Sequence, residues 1–218
     1  MSVTELRAEH LAQMPVFPLP KVSFLPDTTM PLHIFEPRYR ALVAHCLRYD
    51  WPMAVARIVP GREQEHLGAP PFLRIAGAGD IVFNRTLDDG KLIIVLRCLA
   101  RVRLTEVESG HPWRVARAVV SPDTWGDGSA DTDTLNTTLV SLLRAVSAYH
   151  APLASLTAEV DANDPRPEIL THAVAVRIAP PEVQQKILET TDVTRRVLLT
   201  TDLLADLLVE LAGPGTIH

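Results

Sequence analysis

Eight histidines and two cysteines are the first side chains to test for chemistry in this 218-residue chain. The histidines (His10, His33, His45, His66, His111, His150, His172 and His218) show no H-x-x-x-H or H-E-x-x-H spacing, so no helix offers two imidazoles to one metal. His33 alone stands inside a distinctive run, where it reads as a hydrogen-bonded residue at a strand end. His45 and Cys46 are neighbours, but adjacent helical side chains diverge by ~100°, so they cannot face each other as base and thiolate. Cys46 falls on an apolar stripe and reads as a buried, inert thiol. No G-x-S-x-G elbow occurs. Lys21, Lys91 and Lys186 lack the glycine loop that would cradle a nucleotide's phosphates. Asp123, Asp127, Asp131 and Asp133 suggest calcium, yet lack the D-x-[DN]-x-[DN]-G frame and a glutamate at its twelfth position. They read as a hinge whose last acids cap the next helix. The expectation is no catalytic residue, no metal and no cofactor.

Composition bounds the partners. Hydrophobic residues make up 47% and charged residues 22%, enough for a substantial core, and a net charge of −5 exerts no global pull on nucleic acid or anionic membrane. Residues 1–120 hold 15 Lys and Arg against 12 Asp and Glu, while 121–218 hold 6 against 14, which reads as two solvated surfaces of opposite sign. Two cysteines provide neither a disulfide framework nor a metal spacing, so a reducing cytoplasm is the expected location. The opening MSVTELRAEHLAQMP lacks an apolar signal core, and no run of ~18 apolar residues spans a membrane.

The elements are organised around Pro15–Tyr39, which reads as a strand, a proline-braced loop, a second short strand and a helix start. Pro18, Pro20 and Pro26 cannot donate to a ladder, which predicts an edge strand or a bulged one. Residues 4–13 have the pattern of a short helix using Leu6 and Leu11. Pro37 to Leu47 is predicted helical, burying Tyr39, Leu42, Val43 and Cys46. Strands are expected at 53–59, 72–84, from Leu92 through Glu108, and 113–120, with an exposed loop at 61–71. Asp89-Gly90 marks a hairpin, and Gly77 and Gly79 mark a bulge or close backbone approach. Beyond 121–133, a linker by composition, helices are predicted. The first has a stripe of Leu135, Leu139, Leu142, Leu143, Val146 and Tyr149. Residues 151–167 read as loose, then helices follow at 167–178 and 181–190. A last helix, capped by Asp192, uses Val193, Val197, Leu204, Leu207, Leu208 and Leu211 and stops at Gly213-Pro214.

Pro18-Leu19-Pro20, the run Pro31, Leu32, His33, Ile34, Phe35, Glu36, Pro37, Arg38 and Tyr39, and the order of elements after them resemble the N-terminal substrate-binding domain of Lon-type ATP-dependent proteases. That domain also occurs alone in bacterial proteins. The local match in the second half is Asp192-Val193-Thr194-Arg195-Arg196-Val197. The resemblance implies an α+β fold: a PUA-like β-barrel (1–120), a linker (121–133) and an α-helical bundle (134–218). It implies a small residue, often glycine, where Cys98 stands. The signature run is expected to be structural, with Glu36 and Arg38 pinning the helix start to the barrel. The AAA+ and serine–lysine peptidase modules of such proteases are absent from this sequence.

The function implied is non-catalytic binding of unfolded or degron-bearing polypeptide, or of a protein partner. The expected surface is a groove between barrel and bundle, or a barrel edge strand. The alternative on a PUA-like fold is RNA or nucleotide binding through Arg74, Arg85, Arg97, Arg101, Arg103, Arg114 and Arg117. These arginines are interleaved with acids and apolar residues, without a stacking motif, so nucleic acid and membrane are both disfavoured. An uncharacterised hydrolase ranks third, for want of a converging constellation.

Overall fold

A computed structural model describes residues 5–126, 132–161 and 166–212. Asp127 and Asp131 of the predicted hinge, Pro165, the Gly213-Pro214 stop and His218 lie outside the described residues. The chain divides into two compact units, Met1–Pro122 and Asp123–His218.

In the first unit a short helix α1 (Ala8–Ala12) precedes strands β1 (Met14–Leu19) and β2 (Thr29–Ile34), helix α2 (Pro37–Tyr49), and strands β3 (Met53–Arg57), β4 (Ile75–Thr86), β5 (Leu92–Val107) and β6 (Arg114–Val120). The sheet order is β2-β5-β4-β3-β1-β6, and β6 pairs back onto β5. Five strands therefore close into a ring, which removes most free edges. One long strand makes this possible. The first part of β5 pairs with β2 through Leu92–Arg97, and its last part pairs with β6 through Val102–Val107. Opposite the pairs Ala78↔Ala100 and Gly79↔Cys98, Leu99 is an extra residue, a β-bulge. Before it, Ile94, Leu96 and Cys98 pack toward α2; after it, Val102 and Leu104 line the barrel interior. The bulge thus switches which face the even-numbered residues occupy.

Alternation explains the two cores of this unit. On β3, Ala54 and Ala56 enter the barrel, while Met53 and Val55 meet Tyr39, Leu42, Val43 and Cys46 of α2. The barrel interior is narrow enough to demand small side chains: Ala76, Ala78, Ala116 and Ala118 join Val16 and Met14 there. A Cβ at Gly77 would lie 1.9 Å from the Phe24 carbonyl oxygen, so the strand approach seen here requires glycine. The hairpin reverses at 87–91 with Gly90 at φ +74°.

β1 is neither the edge strand nor the bulged strand that its prolines predict. It is flanked by β3 along Val16–Leu19 and by β6 along Met14–Val16. The Leu19 carbonyl accepts the Ile58 N–H at 2.9 Å, so Leu19 and Phe17 face β3 and Pro18 faces the other side, past the end of the β6 pairing. The missing N–H breaks no ladder bond there.

The second unit contains α3 (Thr132–Ser147), α4 (Ala151–Glu159), α5 (Pro167–Ile178), α6 (Pro181–Glu189) and α7 (Val193–Ala212). Leu139, Leu143, Val146, Leu170, Val174, Val197 and Leu204 form its core. Three expectations need correction. Residues 151–159 are helical, because Pro152 occupies the first turn, where its missing N–H costs nothing. Tyr149 lies beyond the end of α3 and is 65% exposed. Leu211, near the end of α7, is exposed rather than core. As predicted, Asp192 caps α7, its Oδ1 accepting the Arg195 N–H at 3.1 Å. Within 121–133, Asp123 and Thr124 are bonded into this unit, Thr124 bridging to Asp192 and Asp123 pairing with Arg196.

Candidate functional site

The signature run straddles the end of β2 and the first turn of α2. Ile34 is buried, Leu32 packs against the same core, and Pro31, His33 and Phe35 alternate outward, with Phe35 54% exposed. Glu36 takes the position before the helix and Pro37 its first turn. Arg38 pairs with Glu36 at 2.9 Å, donates to the His66 carbonyl at 2.5 Å and to the Gly68 carbonyl, and covers the Tyr39 ring at 4.5 Å. Tyr39 is 4% exposed, its ring 4.2 Å from that of Phe17, and burial pushes its hydroxyl above the usual phenol range. Arg38 thus straps the 61–71 loop to the helix start.

The two stretches that carry the resemblance meet in space. A cavity of about 230 Å³ is walled by Phe17–Pro20 on one side and Leu32–Glu36, Tyr39 and His66 on the other. Its lining is mainly apolar, and the exposed Phe35 ring stands at it. Next to it lies an open cleft of about 500 Å³ that takes in Arg38, Tyr39, Gly68, Glu106, Glu108 and Arg114. There Arg114 is paired with Glu106 and donates to the Pro70 carbonyl at 2.7 Å.

A third cavity, about 260 Å³, has a lining that sequence reasoning missed: His45, Tyr49, Trp51, His111 and Trp113, with Gln13, Pro15 and Val115. His111 stacks on Trp113 at 4.5 Å and 11°, and His45 leans on both, at 5.8 Å and 5.3 Å. Burial, then the neighbouring His111, hold the His45 pKa below the usual histidine value. The available signal was His45 and Tyr49 at i, i+4 on the polar side of α2; nothing local connects them to Trp113.

Among the described residues, the side chains considered for chemistry lie apart or are buried. Cys46 and Cys98 are both buried; burial pushes the Cys46 thiol up to about 12 and raises Cys98 as well, far from thiolate at neutral pH. His45 lies in the aromatic cluster and Cys46 in the core, so the pair is not a dyad. His33 is exposed, its ring 6.0 Å from Phe35. Among the described residues no group of three or more His, Cys, Asp or Glu could hold a metal. Within the arginine set, Arg97 pairs with Asp80 at 2.8 Å, Arg101 is buried and donates to the Ser121 carbonyl, and Arg114 holds Glu106. Arg74, Arg85, Arg103 and Arg117 are exposed. Among the described residues no helix is long and apolar enough to cross a membrane.

A six-stranded mixed sheet, closed on itself and braced by one helix, with a helical unit after it, is the fold of Lon N-terminal domains. The N-terminal domain of Mycobacterium avium complex Lon protease matches with TM-score 0.68 at 16% identity, over 89% of this chain and 98% of that one. A Lon N-terminal domain protein from Xanthomonas campestris matches with TM-score 0.58 at 22% identity, with the same coverage. Residues 13–206 match the family ATP-dependent protease La (LON) substrate-binding domain, and the chain belongs to it. Among whole proteins, Lon protease 2 of Myxococcus xanthus is 26% identical over 194 residues and Lon protease of Anaeromyxobacter dehalogenans 24% over 196, in each case 88% of this chain. The chain spans 23% of the length of each of these proteases.

Proposed function

We propose that this chain is a non-catalytic recognition module that holds unfolded or degron-bearing polypeptide, or an exposed segment of a protein partner, at the signature cavity. Its place of action is the cytoplasm. The observation that carries this reading is the cavity between Pro18-Leu19-Pro20 and Leu32–Glu36, apolar and rimmed by the exposed Phe35. Glu36, Arg38 and Tyr39 act structurally, fixing one wall and the loop beside it. Leu32 and Phe35 supply the contact surface.

The manner of binding follows from the edge of β2. The Thr28 carbonyl accepts the Cys98 N–H at 2.9 Å, so Thr28 and the even-numbered residues after it face β5. Pro31 therefore faces the open side, where it offers no N–H to an added strand. Side-chain insertion into the cavity is favoured over strand addition.

The test is fluorescence anisotropy of a labelled, permanently unfolded polypeptide, with RNA as competitor. Saturable binding that RNA does not displace is expected. Phe35→Asp should weaken it by roughly ten- to a hundred-fold, the ~1.5–3 kcal/mol of one buried aromatic side chain, without lowering the melting temperature. Unchanged affinity in Phe35→Asp overturns the location. Salt-sensitive RNA binding without polypeptide binding overturns the class of partner.

A further inference from the structure

The three cavities just described are contiguous. Tyr39 lines both the signature cavity and the open cleft. His111, Trp113 and Val115 line both the cleft and the aromatic cavity. Helix α2 runs beside all three, contributing Tyr39 to the first, next to its N-cap Glu36, Arg38 and Tyr39 to the second, and His45 and Tyr49 to the third. We propose that they form one track for an extended polypeptide, which seats an aliphatic side chain in the signature cavity and an aromatic side chain against His111 and Trp113. This rests on the reading above and adds to it a second anchor, a chemical preference and a spacing.

The helix acts as the ruler. From Tyr39 to His45 and Tyr49 is six to ten residues, or about 9–15 Å at 1.5 Å per residue. An extended chain covers about 3.3 Å per residue, so the two anchors stand about three to five positions apart. The lining assigns the chemistry of each position. The aromatic cavity presents tilted and stacked rings, and its neutral His45 offers a ring face rather than a charge, which suits an aromatic guest. The cleft between holds charges of both signs, with Arg38 and Arg114 already bound to Glu36 and Glu106, and suits a polar backbone and small polar side chains. Neither end alone requires the other, so joining them makes the second contact intramolecular.

Labelled Gly/Ser peptides carrying one Leu and one Trp, in both orders, placed one, three, four or ten positions apart, test this beside single-anchor controls. Affinity should peak at the three- and four-position spacings, about tenfold above the better single anchor. Trp113→Ala should reduce the best peptide to the level of its Leu-only control and leave that control unchanged. Trp113 packs partly against the core, so the exposed His111→Ala is measured in parallel and should lower the peak without altering the melt. Affinity that does not depend on spacing, or a peak that survives both substitutions, overturns the track while Phe35-dependent binding still stands. Binding of every peptide that ignores Phe35→Asp, or no binding of any peptide, overturns the reading beneath it as well.

Discussion

The two units use arginine in opposite ways. Arg38 of the barrel unit lies near the surface, its side chain 22% exposed, and reaches outward to two carbonyls of a loop. Arg196 of the helical unit is 0% exposed on the core side of α7, with Val193, Val197, Thr200 and Leu204. It holds Asp123 through two bonds of 2.6 Å and donates to the Thr190 carbonyl at 3.1 Å and the Glu168 carbonyl at 3.3 Å. One guanidinium fixes the loop beside the signature cavity; the other ties the start of its unit, the α5 N-terminus and the α6–α7 turn to one point. A planar fork with five donors serves both, but the low dielectric around Arg196 makes its partners far more dependent on it.

The largest effect should therefore come from Arg196→Met. Removing one member of a buried pair costs ~3–5 kcal/mol. The lower end applies here, because Asp123 is partly exposed and regains water. At roughly 2–4 °C per kcal/mol for a chain of this size, the melting temperature followed by helical circular dichroism should fall by about 6–12 °C. Arg196→Lys should recover little, since an ammonium cannot span both carboxylate oxygens and the carbonyls. A melt like that of the parent would mean that the buried arginine is not the keystone of its unit.

Arg38→Ala should cost less. Its ion pair and carbonyl bonds sit where water competes, so ~1 kcal/mol and a fall of about 2–4 °C are expected. The sharper readout is local: without the strap, the 61–71 loop should be cleaved by trypsin at Arg62 several-fold faster, while cleavage elsewhere keeps its rate. A loss of stability as large as that of Arg196→Met would erase the contrast between strap and keystone.

What was legible in the sequence separates along the same line. Wherever burial follows a local period, the residues announced it. α2 is read from Tyr39, Leu42, Val43 and Cys46, the hairpin from Asp89-Gly90, and the close approach from Gly77. The α+β class and the family followed from these and from the signature. Features built by distant segments were not legible. Pro18 suggested an edge because its partner strands are set by ring closure, not by neighbours in sequence. Arg196 sits at a core position of α7, where the non-local Asp123 balances its charge. The aromatic cavity joins α2 to the segment before β6, and no spacing in the sequence relates His45 to Trp113. The signature run was read as structure; Arg38 bonds Glu36 and the 61–71 loop and Tyr39 packs on Phe17, while the cavity beside them appears only once Pro18-Leu19-Pro20 folds against Leu32 and Phe35.

The smallest effect is a pH dependence in the barrel unit. His45 has its pKa lowered by burial and then by His111. His10, edge-on to Trp51 at 4.8 Å, has its pKa lowered by burial and then by Arg7, with Glu9 and Asp50 partly opposing. In the unfolded chain both return toward 6.5, so below that pH the unfolded state binds more protons than the folded one. Their contribution to stability is complete above pH 6.5 and is lost as pH falls through the folded-state values. The melting temperature should thus decline from pH 7.5 to pH 5, above the range in which Asp89 and Glu65, whose pKa values are lowered by Lys91 and Arg62, begin to titrate. His45→Gln should flatten part of that decline, because glutamine keeps a planar polar group beside Trp113 and carries no proton to gain. A slope unchanged by this substitution would assign the pH dependence to His10 and its contacts with Arg7 and Trp51. A melting temperature that rises on acidification would mean that His45 is better paired as imidazolium than as a neutral ring, and the aromatic cavity would then be a site for anions rather than for rings.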